Sequence, residues 1–487
     1  MRLVKYFLLS LILLALAVSS LNYRNRLVRE APLTGYFQLH DLPSVKLFTW
    51  RSWFSSSFQD EFSARVNDHT GLRNTLIRIA NQVDYTLFGN VHAEGFIRGK
   101  EGYLFEEDYI HEYNGDFFIG QRVIDKKLSR LKNVSDSLKK YNIPLLLVYE
   151  PGKASFYPEF IPDRFHAGKP SASNLSFYLQ RSRELGLPFM DMNRYFLEMK
   201  DTARYPLFPR YGMHWSLYGV PLAVDTLARV AGKMTGKQLP RFRTKKLLET
   251  ETPVGTDNDI GELLNLACPM KATRGAFPLI AFENKPPVAL RVLVIADSYY
   301  LNIIEGYGRK LFKTQDYWYY NKKCYPFQNQ SPPAYVDKSD LRSRLKHYDL
   351  VLVMVSEINL HCGFWNFADE AYLAFHPEQK DPKVDSIENV IRNERSWFRF
   401  LVKKASRQGQ TLEEAIHEDA TYLFNTHYNS ITGKSYCDSV YHITCDIRNN
   451  PDWFSQVKKK AQERKIPLDS MLLLDAAYCY EQSKKKH

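Results

Sequence analysis

The stretch "LRVLVIADS", residues 290–298, decides the fold of this 487-residue chain. Its residues 292–296 form a continuous apolar run, which a short polar pair follows. Such runs are typical of strands that are buried on both faces of a parallel sheet. The stretches "IPLLLVYE" (143–150), "YDLVLVMVSE" (348–357) and the shorter "LPFMD" (187–191) follow a related pattern. We therefore predict four strands of a parallel α/β sheet.

Segments with helical spacing separate these strands. An apolar residue recurs every three or four positions over residues 128–138, which places these side chains on one face of a helix. A second helix is predicted near residues 176–185 and a third within residues 217–234. Because strands that alternate with helices form a parallel sheet covered by helices, we predict one α/β domain over residues 121–375.

Residues 28–120 are predicted to form a mixed N-terminal segment that leads into this domain. The stretch "RGKEGYLF", residues 98–105, is typical of a turn followed by a short strand. Helical spacing upstream of it involves five apolar residues: Leu72, Leu76, Ile79, Val83 and Leu87.

Residues 376–487 contain an internal duplication. The stretch that begins at Ile391 aligns without a gap with the stretch that begins at Ile447, an offset of 56 residues. The aligned pairs include Trp397 with Trp453, Ala405 with Ala461, Leu412 with Leu468 and Asp419 with Asp475. Thr411 and Glu414 have the spacing of a capping box at a helix start. We predict a duplicated helical hairpin, for which shielding the sheet and docking a partner are both open.

Residues 1–27 are predicted to be a signal anchor or a signal peptide. Arg2 and Lys5 precede an apolar run from Tyr6 to Leu21. Its 16 residues are fewer than the roughly 20 that a membrane-spanning helix needs, so a cleaved peptide and an uncleaved anchor both fit. No other segment of the sequence resembles a span. We expect a single anchor in the cytoplasmic membrane, with the bulk of the chain in the periplasm or outside the cell.

The charge and the cysteines argue against several classes of function. The net charge of +12 is spread along the chain, without zinc-finger spacing or a long basic arm, which argues against nucleic-acid binding. The six cysteines show no metal-ligand spacing, although Cys437 and Cys445 are close enough to be bridged within one loop. No P-loop, HExxH or dinucleotide fingerprint is present, so no metal and no cofactor are predicted.

The ends of the predicted strands point to a site. In an open parallel α/β sheet, ligands bind beyond the carboxyl ends of the strands. The four predicted strands end at Glu150, Asp191, Ser298 and Glu357. Ser298 falls at a strand-to-helix turn, where backbone N–H groups at the helix start can face a developing oxyanion. Ser298 is therefore the candidate nucleophile.

The stretch "YGMHWSLYG", residues 211–219, supplies a candidate base for this serine. A serine nucleophile needs a base that removes its proton while the oxygen attacks a carbonyl carbon. His214 lies in a glycine-flanked loop, 84 residues before Ser298. A single strand-end serine is usually a helix N-cap and a single loop histidine is usually structural. Only their joint occurrence favours an enzyme.

Four stretches together resemble one family: "NDHTGLRN" (67–74), "EPGKASFYPEFIP" (150–162), "GMHWSLYG" (212–219) and "IADSYY" (295–300). They are similar to the SGNH-hydrolase-like domain of the alginate O-acetyltransferase family, the AlgX/AlgJ type, over roughly residues 55–370. The resemblance implies a flavodoxin-like α/β sheet. It also implies the attachment of acetyl groups to an exported polysaccharide, with acetyl supplied by a multi-pass membrane acyltransferase partner.

The resemblance also implies roles for individual residues. Ser298 would accept the acyl group, His214 would be its general base, and Trp215 would pack beside the histidine. Asp297 matches the residue before the serine and is expected to shape the turn.

One position departs from the family pattern. The family places an aspartate two residues before the histidine, in a D-x-H-W arrangement, and Gly212 stands there in this chain. The carboxylate that orients the histidine is therefore missing from its usual place. Asp191, Glu150 or Glu357 is a possible substitute. A Ser-His pair without an acid, a backbone carbonyl at His214, and a site that binds sugar without catalysis also stay open.

Three further residues are candidates for binding. Lys153 and Tyr157 follow a strand end and would hold substrate hydroxyls or carboxylates, unless they belong to an ordinary structured loop. Asn359 follows Glu357 and would donate to an oxyanion. The expected function is an extracytoplasmic polysaccharide O-acetyltransferase with an acyl-serine intermediate. The alternatives are a carbohydrate esterase that uses the same Ser/His pair, and a non-catalytic polysaccharide-binding scaffold subunit of an export or acetylation complex.

Overall fold

A computed structural model describes most of the chain. The described ranges are residues 28–35, 49–54, 57–69, 71–165, 172–271, 274–283, 286–326, 334–379, 383–424, 450–464 and 468–484, with isolated positions before 23 and between 443 and 447. The predicted Cys437–Cys445 bridge and part of the apolar run from Tyr6 to Leu21 lie outside the described residues. Within the described residues, no helix has both the length and the apolar composition needed to cross a bilayer.

Ten strands in the described ranges form one large and two small sheets. In chain order the strands are β1 (Phe96–Arg98), β2 (Leu104–Glu106), β3 (Leu145–Glu150), β4 (Phe189–Asp191), β5 (Phe242–Thr250), β6 (Gly275–Phe282), β7 (Val288–Ala296), β8 (Phe312–Tyr319), β9 (Lys323–Cys324) and β10 (Leu350–Ser356). The large sheet has the order β4-β3-β10-β7-β8-β9, and β1-β2 and β5-β6 form the two-stranded sheets.

The large sheet is mixed, which corrects the prediction of a purely parallel sheet. Strands β4, β3, β10, β7 and β8 are parallel to one another, whereas β9 pairs antiparallel to β8. All six residues of β3 and all seven of β10 are buried, because these central strands are covered on both faces. The four apolar strands predicted from the sequence are confirmed.

The strand order is that of a flavodoxin-like sheet with its connections circularly permuted. If numbering starts at β7, the strand that ends before Ser298, then β8, β10, β3 and β4 become the second to fifth strands. The sheet order from β8 to β4 is then 2-1-3-4-5, which is the flavodoxin-like order. In that topology ligands bind where the order reverses, between the first and third strands. Here those strands are β7 and β10.

Nineteen α-helices have bounds within the part of the chain that the structure describes. They are α1 (Trp50–Phe54), α2 (Ser57–His69), α3 (Arg73–Phe88), α4 (Glu107–Tyr113), α5 (Gln121–Lys139), α6 (Lys153–Phe156), α7 (Asn174–Glu184), α8 (Met192–Met199), α9 (Val220–Thr235), α10 (Asp259–Leu263), α11 (Tyr299–Ile303), α12 (Arg309–Leu311), α13 (Leu341–Leu345), α14 (Phe367–Phe375), α15 (Lys383–Asn393), α16 (Arg395–Gln408), α17 (Leu412–Leu423), α18 (Pro451–Arg464) and α19 (Leu468–Lys484).

The main core joins the sheet to helices that precede and follow it. The apolar face of α5 is buried as its spacing predicts, with Leu128, Leu131, Val134 and Leu138 all inaccessible to solvent. Residues of α15, α16 and α17, among them Ile391, belong to the same cluster. The capping box at Thr411 is present at the start of α17. That the last four helices form a duplicated module stays a prediction.

The chain divides into two compact units. The first unit comprises residues 1–107, 208–217 and 248–277, and the second comprises residues 108–207, 218–247 and 278–487. These units are discontinuous, whereas the sequence predicts four consecutive segments. His214 lies in the first unit and Ser298 in the second.

Candidate active site

Ser298 stands at the turn between β7 and α11, in the second unit. Residues 292–297 and 299–300 are buried, whereas Ser298 itself is partly exposed. Its side chain makes no capping hydrogen bond to the helix that it precedes. The carboxylate of Asp297 does this instead, because its Oδ1 accepts the backbone N–H of Tyr299 at 3.1 Å. The usual structural reason for a serine at a strand-to-helix turn therefore does not apply to Ser298.

Asp297 ties the end of β7 to the end of the neighbouring strand β10. Its Oδ2 accepts the backbone N–H of Ser356 at 2.9 Å and the Ser356 hydroxyl at 2.6 Å. The hydroxyl of Tyr317 donates to the Asp297 carbonyl oxygen. Asp297 is completely buried. The side chain therefore shapes the turn that presents Ser298, at the point where the strand order reverses.

Asn359, whose role as an oxyanion donor stays a prediction, belongs to the same network. Its Nδ2 lies 2.9 Å from Asp297 Oδ2 and 3.0 Å from Ser356 Oγ, and donates to these acceptors. The amide hydrogens are thus engaged within the turn. Asn359 supports the position of Asp297.

Glu150 is a buried carboxyl group beside Asp297. It ends β3 and is completely inaccessible to solvent. Burial, together with the neighbouring Asp297 carboxylate, raises the pKa of Glu150 well above its ordinary value. Its surroundings therefore disfavour the charged carboxylate form of Glu150, which is the form that stabilises an imidazolium.

His214 is paired with a carboxylate that no sequence motif indicates. Its Nδ1 lies 2.6 Å from Oδ2 of Asp259, and Oδ1 of the same carboxylate accepts the backbone N–H of Met213 at 2.8 Å. The His214 and Asp259 side chains are only 11% and 22% exposed. A carboxylate at Nδ1 makes this nitrogen the proton-bearing one, which leaves the lone pair on Nε2. His214 therefore has the tautomer that a general base requires.

Gly212 explains how Asp259 reaches the histidine. A Cβ atom at position 212 would lie 2.1 Å from the carbonyl oxygen of Thr256 and 2.7 Å from Cγ of Pro209. Only glycine allows the 255–259 segment to pass this close. The aspartate of the D-x-H-W pattern thus cannot fit at position 212, and the segment that passes there supplies Asp259 instead.

Further hydrogen bonds hold the two segments together. Asp257 Oδ1 accepts the backbone N–H of Leu217 at 2.8 Å. The carbonyl oxygen of Tyr211 accepts the N–H groups of Ile260 at 3.1 Å and Gly261 at 3.0 Å. The Asp259 carboxylate is therefore fixed by the backbone on both sides of the residue as well as by the imidazole.

The remaining two acids predicted as partners of His214 have other roles. Asp191 caps α8, because its Oδ1 accepts the backbone N–H of Arg194 at 2.9 Å. Glu357 accepts from the hydroxyl of Ser155 and lies 3.5 Å from Nδ2 of Asn193. Burial raises the pKa of Glu357 to about 7. The prediction that Asp191, Glu150 or Glu357 orients the histidine is wrong, since Asp259 occupies that position.

The other candidate residues lie in the interior. Lys153 is 1% exposed and Trp215 is completely buried. Tyr157 is 8% exposed and contacts the rings of Phe156 and Phe160. The surroundings of Lys153 and Tyr157 are those of packed residues at the end of β3. A role of either side chain in holding substrate stays a prediction.

Asp259 is not predicted from the sequence, because it follows no predicted strand and lies 45 residues after His214. Two signals nevertheless point toward it. Gly212 stands where an acid is expected, so the chain must draw the acid from elsewhere. The stretch "TDNDIGEL", residues 256–263, concentrates three acidic residues shortly after that loop.

Comparisons with known proteins agree with the motifs. Residues 96–287 match the family model of the SGNH hydrolase-like domain of acetyltransferase AlgX. The probable alginate O-acetylase AlgJ of Pseudomonas putida is 23% identical over 156 residues, covering 31% of this chain and 38% of that protein. The probable alginate O-acetylase AlgJ of Azotobacter vinelandii is 26% identical over 149 residues, covering 30% of this chain and 36% of that protein.

The chain thus spans less than two-fifths of the length of these curated relatives. The solved O-acetyltransferase domain of Pseudomonas putida AlgJ is 17% identical, with a TM-score of 0.36, and covers 55% of this chain and 92% of that chain. The matched residues 96–287 include Gly212, His214 and Asp259 and end before Ser298. The resemblance predicted from the motifs is confirmed: over residues 96–287 the chain is similar to the SGNH hydrolase-like domain of acetyltransferase AlgX.

Proposed function

We propose that this protein transfers acetyl groups to hydroxyl groups of an exported or cell-surface polysaccharide. The observation that carries the proposal is the 2.6 Å contact between His214 Nδ1 and Asp259, which prepares the imidazole as a base. The partly exposed Ser298, whose hydroxyl does not cap its helix, supports it further. The relatives named probable alginate O-acetylases favour transfer to a polysaccharide over other acyl chemistry.

In the first half of the proposed reaction, Ser298 Oγ attacks the carbonyl carbon of an acetyl donor. His214 Nε2 takes the hydroxyl proton as the new C–O bond forms. The tetrahedral intermediate then collapses, the bond to the donor breaks, and His214 returns the proton to the leaving group. The product is an acetyl ester of Ser298. Asp259 stabilises the imidazolium that exists between the two proton transfers.

In the second half, a sugar hydroxyl attacks the carbonyl carbon of acetyl-Ser298. His214 removes the proton from this hydroxyl and delivers it to Ser298 Oγ as the serine leaves. The sugar gains an ester and the enzyme returns to its starting state. Water in place of the sugar would give acetate, which is the reaction of an esterase.

The proposed setting follows from the resemblance and from the N-terminal sequence. We expect one N-terminal anchor formed by the run from Tyr6 to Leu21, with the rest of the chain in the periplasm or outside the cell. A multi-pass membrane acyltransferase is the expected source of acetyl groups. No cofactor is needed in this scheme, since both proton transfers use His214.

The test follows acetyl from an activated acetyl ester to a panel of glycans, with wild-type protein, Ser298→Ala and His214→Ala. The proposal predicts acetylated sugar with the wild type alone, detected by mass spectrometry. Acetate released without sugar acetylation would identify an esterase. Glycan binding that persists in Ser298→Ala, without acetyl chemistry in any form of the protein, would identify a binding subunit.

A further inference from the structure

Helix α3 contacts its own unit through polar side chains. Asn74, Arg78, Asn81 and Tyr85 share one face, because they are spaced at three or four residues. Asn74 Nδ2 donates to the Ala31 carbonyl oxygen at 3.1 Å, and Arg78 donates to the Ala31 and Pro32 carbonyl oxygens at 3.1 and 2.8 Å. Asn81 Nδ2 donates to the Leu264 carbonyl oxygen at 2.9 Å. The Arg98 guanidinium lies over the Tyr85 ring at 4.8 Å.

The opposite face of α3 is an apolar stripe that faces solvent. Leu76, Ile79, Val83 and Leu87 are 44%, 49%, 46% and 69% exposed. No residue of the helix is buried. A rotation of 100° per residue places this stripe on the side opposite the polar contacts. The helix is thus amphipathic in the reverse of the usual sense, since apolar faces of surface helices normally point inward.

The two preceding helices add exposed aromatic side chains. Trp50, Trp53 and Phe54 of α1 are 70%, 43% and 80% exposed, and Phe62 of α2 is 58% exposed. Arg51 stands between the two tryptophans in the sequence and is itself exposed. Tryptophan is enriched at the membrane–water interface, and Trp, Phe and Leu beside basic residues are typical of helices that lie in that interface.

The position of these helices along the chain indicates what their exposed apolar side chains bind. Only 28 residues separate the run from Tyr6 to Leu21, the expected anchor, from Trp50. A tether of that length keeps α1 to α3 within reach of the bilayer that holds the anchor. Large exposed apolar patches on soluble proteins mark interaction sites, membranes included, and the expected anchor would place a bilayer within reach of this one.

We propose that α1, α2 and α3 lie on the lipid bilayer, with the apolar stripe of α3 inserted at the boundary between headgroups and acyl chains. The inference goes beyond the proposed acetyl transfer and does not depend on it. It would attach the first unit, which contains His214, to the surface from which the expected acetyl donor delivers its group.

A photo-crosslinking amino acid, p-benzoylphenylalanine, at position 83 tests this proposal in the full chain. The protein is reconstituted in vesicles of phosphatidylethanolamine and phosphatidylglycerol and then irradiated. The matched control carries the same residue at position 406, where Ser406 is an exposed residue of α16. We expect several-fold more lipid adduct at position 83 than at position 406, measured by mass spectrometry.

A second variant separates insertion from simple proximity to the vesicle. Leu76→Gln, Ile79→Gln and Leu87→Gln are combined with the probe at position 83. The polar contacts of the helix are untouched, so far-UV circular dichroism should be unchanged while the lipid adduct falls to the level at position 406. If the protein without the glutamine substitutions gives equal amounts of lipid adduct from positions 83 and 406, the proposal is overturned. Adducts from position 83 to a second copy of the chain, in place of lipid, would also overturn it.

Discussion

Replacing Asp259 by asparagine would change the tautomer of His214 while leaving the shape of the site intact. The backbone N–H of Met213 needs an acceptor, so the amide oxygen of the new side chain should keep the place of Oδ1. The amide nitrogen then faces His214 Nδ1, where the carboxylate oxygen lies at 2.6 Å in the native protein. Because that nitrogen donates, Nδ1 must accept and the ring proton moves to Nε2. A proton on Nε2 removes the base.

The expected loss is large because the pair is shielded from solvent. With side chains only 11% and 22% exposed, water competes little for the contact between His214 and Asp259. Loss of the orienting carboxylate from a Ser-His-Asp site lowers the turnover rate roughly 10⁴-fold. At about 1.4 kcal/mol per tenfold change, this is about 5.5 kcal/mol of activation free energy.

The assay is the single-turnover rate of acetylation of Ser298 by an activated acetyl ester, followed by mass spectrometry. Asp257→Asn is the matched control, because Asp257 stands in the same segment and its Oδ1 accepts the backbone N–H of Leu217, a role that an amide oxygen can keep. We expect the control to stay within a few-fold of the wild type. An Asp259→Asn rate within tenfold of the wild type would refute the assigned role.

Three further results follow from the structure. Gly212→Ala should lower the free energy of unfolding by at least about 1–3 kcal/mol, because the added Cβ overpacks the site. Gly306→Ala is the control, since its added Cβ has open space around it and should not lower the free energy of unfolding. Thermal denaturation compares the two variants. Glu357 has a pKa raised to about 7 in the fold, so the native state holds a proton that the unfolded chain loses above about 4.5. Stability from this group is present below about pH 4.5 and lost as the pH rises through 7, by roughly 3 kcal/mol at about 1.36 kcal/mol per unit. Urea unfolding at about pH 5 and about pH 8 should therefore show a smaller pH-dependent loss in Glu357→Gln than in the wild type. Asn359→Ala should remove a donor from the buried Asp297 carboxylate and cost about 1–3 kcal/mol in chemical denaturation; an unchanged midpoint would contradict the network.

The central strands are predictable because burial on both faces requires unbroken apolar runs. Strand β8 is not predicted because its exposed and buried residues are mixed, with Lys313 and Thr314 exposed beside the buried Tyr317 and Trp318. The mixed sheet and the permuted strand order depend on pairing between distant segments. Local sequence patterns do not report such pairing.

The candidate site is predictable only in part, for a related reason. Ser298 and His214 stand out through their turn and loop neighbours, which are local features. The pairing of His214 with Asp259 depends on a close approach over Gly212. In the same way, spacing predicts helix α3 correctly but does not say which of its faces packs, and the apolar face proves to be exposed.

The most direct test of the account is to trap the acetyl group on the enzyme. The wild type, Ser298→Ala and Asp259→Asn are mixed with an activated acetyl ester, quenched in acid and digested for peptide mass spectrometry. The account predicts an acetyl group on Ser298 in the wild type, far slower labelling in Asp259→Asn, and transfer of the label to sugar when a glycan acceptor is added. Sugar acetylation that proceeds at the wild-type rate in Ser298→Ala would contradict it.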